Sequence, residues 1–84
     1  MTLHLVFSSN GWQACQLRRQ GNDAVVLLGD GVYVAQQAES TDVHVLAEDA
    51  HIRGVSTDAS TTSISYDELV VLCTEYQPVV SWND

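Results

Sequence analysis

The chain has no lysine at all. Three arginines face eleven aspartates and glutamates, giving 84 residues a net charge of -8. A balance of that sign repels phosphate backbones and anionic lipid headgroups, which excludes direct nucleic-acid binding and membrane docking by this chain alone. It favours solubility, and it also suits a basic partner protein. No uninterrupted apolar run is longer than that of Ala24–Leu28, far short of the ~20 residues a membrane span needs. Met1-Thr2-Leu3-His4-Leu5 has neither a basic stretch nor a small-residue cleavage site, so it does not read as a secretory signal. Two cysteines are too few for a disulfide framework and read as reduced thiols. His4, His44 and His51 stand apart, and neither cysteine lies in a C-x-x-C, so no metal-ligand spacing is present. The expectation is a cytoplasmic protein without metal or cofactor.

What is present is an ordinary globular share of apolar residues, 45%, which rules out disorder as the main state. A chain of 9.2 kDa makes one domain, residues 1–84. Its core is small, because a chain this size buries only ~60–65% of its unfolded surface. Association commonly supplements such a core, so a homodimer or larger homo-oligomer is expected when the chain is alone.

Thr2–Phe7 reads as a first strand. Ser9 or Asn10 is placed to cap a helix from about Trp12 to Gln20, with Gly21 in the left-handed position after it. Asp23–Leu28 is apolar without alternation, which suits a central strand buried on both faces of a parallel sheet. Gly29-Asp30-Gly31 breaks it, with Asp30 as cap of a short helix over Val32–Gln37. Val43–Leu46 is a third strand, and Glu48–Arg53 a short helix closed by Gly54. Ser56–Ser63 is polar connection, and Thr62–Ser65 a weak fourth strand. Tyr66–Gln77 is a helix with an apolar stripe at Leu69, Leu72, Cys73 and Tyr76. Pro78 ends it, and Val79–Trp82 is a final extended segment. Strands alternating with helices predict a single three-layer α/β/α domain, with a mainly parallel sheet of four or five strands and right-handed crossovers.

Cys15 is the residue with the most chemistry. Arg18 and Arg19 follow at i+3 and i+4, so on a helix both guanidiniums approach the sulfur and favour the thiolate. The alternative is packing: free cysteine is among the most buried residue types, and Trp12, Cys15 and Arg19 share a face. Cys73, inside the apolar stripe, reads as core. Gly29-Asp30-Gly31-Val32-Tyr33 follows the carboxyl end of a buried strand, where open parallel sheets meet ligands and partners. It is not a phosphate loop, having neither G-x-x-x-x-G-K-[ST] nor G-x-G-x-x-G. It is either a tight turn or a partner contact made by Asp30, Gly31, Val32 and Tyr33, since Tyr is enriched where subunits meet. His4 and His44 lie in strands and read as structural. The Asp49, His51 and Arg53 cluster suits a solvated helix face, and no serine has the elbow context of a hydrolase.

These segments together resemble the DsrH/TusB family. Asp23–Tyr33, reading D-A-V-V-L-L-G-D-G-V-Y, is similar to that family's second strand and turn. Glu48-Asp49 followed by Arg53-Gly54 resembles its E-D-x-x-x-R-G. Tyr66-Asp67 before an apolar helix and a terminal Ser81-Trp82 resemble its last third, and the first strand, Ser-rich turn and cysteine-bearing helix also correspond. The chain departs from the family in being short over Ala35–Asp42. The resemblance implies a subunit of a cytoplasmic sulfur-relay, or sulfurtransferase, complex with an α/β/α fold. It implies partners of two paralogous kinds, DsrE/TusD-like and DsrF/TusC-like, and a DsrC/TusE-like acceptor. In one branch such assemblies pass persulfide sulfur toward 2-thiolation of tRNA wobble uridine; in the other they serve sulfur oxidation. The persulfide cysteine belongs chiefly to the DsrE/TusD-like subunit. Cys15 matches a first-helix cysteine that some DsrH-like chains carry, which marks it as a candidate persulfide site with Arg18 and Arg19 as thiolate stabilisers. Three roles remain open: a binding and scaffolding subunit without catalysis of its own, a persulfide-transferring enzyme, or a homo-oligomeric interaction module.

Overall fold

Ala24–Leu27 forms a strand, β2, in which every residue is buried. Its side chains alternate between two cores: Val25 and Leu27 face one, Ala24 and Val26 the other. A strand apolar on both faces has to be sandwiched, and a computed structural model, which describes residues 2–35, 43–55 and 62–83, puts β2 at the middle of the sheet.

The five strands run in the order β4-β3-β2-β1-β5. They are β1 (Leu3–Val6), β2, β3 (Val43–Leu46), β4 (Thr62–Ile64) and β5 (Val79–Trp82). All four pairings are parallel; His4 stands opposite Val25 on one side and Val80 on the other. The helices are α1 (Ser9–Arg18), α2 (Ala47–Ile52) and α3 (Tyr66–Glu75), with a 3-10 helix over Gly29–Val34 between β2 and β3. This order fixes the layers. The connections from β1 to β4 step in one direction, so right-handed crossovers put α1, the 3-10 helix and α2 on one face. The return from β4 to β5 runs the other way and puts α3 on the opposite face. The two apolar clusters follow suit: Trp12, Cys15, Val32, Val34 and Ala50 pack in one, Leu69 in the other. The α/β class and the all-parallel sheet agree with the sequence expectation.

Several element ends differ from that expectation. α1 begins at Ser9, not Trp12, and its cap is Ser8, whose extended backbone lets the hydroxyl accept the Gly11 amide at 2.9 Å. Ser8, Ser9 and Asn10 all have capping side chains, and the first one still in extended geometry takes the position. The helix ends at Arg18 because Arg19 turns extended (φ -68°, ψ 138°), so Gly21 has no left-handed role. The 3-10 helix starts at Gly29, with Leu28 before it and no side-chain cap, so Asp30 does not cap it. The remainder of the expected helix, residues 36–37, and most of the polar connection, residues 56–61, lie outside the described residues. Gly54 closes α2 as expected, at φ 67°, a left-handed conformation that other residues rarely adopt. α3 ends two residues earlier than Gln77; Ser65 and Glu68 form a reciprocal capping box at its start.

Candidate functional site

Cys15 lies on the inner side of α1 and is fully buried, packed with Trp12 and Val6. Burial pushes its thiol up to about 11; the positive charge of Arg19 opposes this and loses, and Asp23 pushes the same way as burial. This corrects the expectation of a stabilised thiolate. The i+3/i+4 spacing is real, but Arg18 is exposed at the helix end and Arg19 is the half-buried residue that leaves the helix. The sulfur points into the sheet, and desolvation of a thiolate there outweighs a guanidinium nearby. Burial favours the packing alternative for Cys15, and Cys73, expected in the core, is half-buried against the second cluster.

The four residues of the turn after β2 separate into two pairs. Val32 is fully buried, and Gly31 packs so closely on β1 that a Cβ there would overlap the Val6 carbonyl. Neither offers a side chain to solvent, whereas the expected contact ran through all four. Asp30 and Tyr33 do face solvent, Tyr33 with 55% of its surface exposed. The E-D-x-x-x-R-G residues explain themselves at this rim. Asp49 accepts the Gly29 amide at 2.8 Å, and Arg53 donates to Asp30 at 3.1 Å. Together they tie α2 to the carboxyl end of β2. The crevice at the switch point between β1 and β5, the usual ligand position in such sheets, is filled by the chain itself. A Cβ on Gly11 would lie 2.5 Å from the Trp82 carbonyl oxygen, and Ser8 donates to Asn83 at 3.3 Å.

Sequence reasoning missed a highly connected buried polar group. Asp23, just before β2, is 6% exposed. One of its oxygens accepts the Thr2 amide at 2.9 Å; the other accepts His4 Nε2 at 2.9 Å and the Gln20 amide at 3.0 Å. Burial alone pushes this carboxyl up, but the bonds from His4, Thr2 and Gln20 outweigh it and hold it at about 2. The network continues to β5, where Trp82 Nε1 donates to His4 Nδ1 at 3.0 Å. It stands under an open depression of ≈ 390 Å³ at the amino ends of β1 and β5, lined also by Arg18, Asn22 and Pro78. The one available signal was Asp23 itself: an acid abutting a doubly buried strand needs partners. Among the described residues no cluster of three metal-ligating side chains exists, and no helix is long and apolar enough to cross a membrane.

The comparisons with known proteins agree with this architecture. A solution NMR structure of protein Tm0979 from Thermotoga maritima superposes with a TM-score of 0.69 at 27% identity, covering 89% of this chain and 93% of that one. No protein with a curated description matches significantly. The family model for DsrH-like proteins matches residues 6–79, nearly the whole domain described above, and by that match this chain belongs to the DsrH-like family.

Proposed function

We propose that the chain is a binding and scaffolding subunit of a cytoplasmic sulfur-relay complex, and that it supports persulfide transfer without carrying the sulfur. Membership of the DsrH-like family supports the relay. The observation that carries the scaffold role is Cys15: a fully buried thiol with its pKa pushed up to about 11 is neither exposed to a donor nor ionised to accept sulfur. The chemistry then belongs to a paralogous DsrE/TusD-like subunit, joined by a DsrF/TusC-like one, and passes to a DsrC/TusE-like acceptor. The end product we favour is 2-thiolated wobble uridine in tRNA. With a net charge of -8 the chain leaves the tRNA contact to a later protein in the relay. Asp30 and Tyr33 supply the partner contact at the carboxyl rim, with Gly31 and Val32 as the packed base beneath them. In isolation the small core favours self-association.

The test is relay turnover in a complex reconstituted from the chain, its paralogous subunits and the acceptor. Cys15→Ala and Cys15→Ser, each checked by thermal melt for a folded chain, are expected to keep both partner binding and turnover. Retained binding with turnover lost in both variants would assign the carrier role to Cys15 and end the scaffold reading.

A further inference from the structure

The sheet face under α3 is only partly covered. α3 buries Leu69, while Val70 and Val71 remain 60% and 52% exposed. Exposed valines side by side on a helix are an apolar patch without a partner inside the domain. Between α3 and the edge strand β4 a groove of ≈ 290 Å³ opens, lined by His44, Thr62, Ile64, Glu68, Val71 and Leu72. Ile64, Val71 and Leu72 give it apolar walls, and Glu68 is the carboxylate at its side. Only Oε1 of Glu68 is used in the helix cap.

The charge around this groove is of one sign. α3 carries Asp67, Glu68 and Glu75 and no basic residue. All three arginines of the chain are placed elsewhere: Arg18 and Arg19 at the end of α1 on the other face of the sheet, and Arg53 on Asp30. The carboxylates therefore have no cation of their own helix to pair with. A second copy docked by a twofold axis would mate this patch with itself, bringing carboxylates against carboxylates.

We propose that the groove between α3 and β4 docks a segment of a partner protein that presents a basic side chain beside an apolar one. The apolar group enters between Ile64, Val71 and Leu72, and the cation pairs with Glu68. This rests on the reading of the chain as a partner-binding subunit, but its first test, with small probes, is made on the isolated chain and does not depend on relay activity.

Two small probes of matched shape distinguish the charge requirement: phenethylammonium and 3-phenylpropionate. In an NMR titration of the labelled chain, the ammonium probe is expected to shift the amides of Ile64, Glu68, Val71 and Leu72. The carboxylate probe should bind roughly fivefold more weakly, the size of a partly exposed ion pair. Glu68→Gln, which keeps the capping box, should remove that preference without unfolding the chain. Equal binding of the two probes, or shifts confined to another surface, would overturn the proposal. Val71→Asp is expected to leave the sedimentation of the isolated chain unchanged and to weaken its binding to the paralogous subunits roughly tenfold. If Val71→Asp instead dissolves a homo-oligomer, or leaves subunit binding intact, the occupant is a second copy or the groove is unused, and the proposal fails.

Discussion

Trp82 and His4, separated by 78 residues, are joined by a hydrogen bond of 3.0 Å from the indole Nε1 to His4 Nδ1. An indole nitrogen only donates, so Nδ1 must accept and be unprotonated. The proton of the neutral ring is then on Nε2, which donates to Asp23 at 2.9 Å. The edge strand thus sets the tautomer of a histidine in the neighbouring strand, and Asp23 holds the result in place.

This tautomer is directly observable. Long-range nitrogen–proton NMR spectra at neutral pH should show His4 protonated at Nε2 alone. Trp82→Phe keeps the ring and removes the donor, leaving a buried acceptor unpaired, and should cost about 1–3 kcal/mol in a urea unfolding curve. An unchanged midpoint would mean that the bond contributes nothing to stability.

Asp23 gives the protein a pH dependence of defined sign. Its carboxyl is held at about 2 against an ordinary 3.8. Between those values the unfolded chain takes up a proton that the folded chain refuses, so the stabilisation is complete above about 4 and is lost as pH falls toward 2. Unfolding free energy measured across that window should decline in the wild type. In Asp23→Asn it should start lower and decline less.

The sheet rests on β2. Val26 is fully buried in the second core, so Val26→Asp buries an unpaired charge. That costs several kcal/mol against a total of roughly 5–15, and the variant should be unfolded by circular dichroism and NMR dispersion. A folded Val26→Asp would contradict the two-sided burial of the strand.

Much of this fold was readable because its signals are local. Ala24–Leu28 announced a doubly buried strand by lacking alternation, and Gly54 and Pro78 marked stops. The helix cap expected at Ser9 or Asn10 fell earlier, at Ser8, which has the same capping chemistry. The choice between the two readings of Cys15 has a physical lesson. Spacing placed Arg18 and Arg19 within a turn of the sulfur, but spacing does not say which side of the helix meets the sheet, and burial decided the thiol's state. Asp23 beside a buried strand signalled a need for partners, but the link from His4 to Trp82 could not be read. It depends on β5 lying beside β1, a strand order that no local pattern specifies.

Thiol reactivity reports that burial. With native protein near neutral pH, an alkylating reagent should modify half-buried Cys73 before Cys15, whose labelling should wait for unfolding. Replacing Arg18 and Arg19 by glutamine should leave both rates nearly unchanged, because desolvation rather than the guanidiniums controls Cys15.

In the proposed role this subunit holds partners in a relay without taking the sulfur itself. Mass spectrometry of the chain after incubation with a persulfide donor, in the presence of its paralogous subunits, tests it most directly. The expected result is a one-sulfur adduct on a partner and none on Cys15. A one-sulfur adduct on Cys15 that is then passed to a partner would contradict it.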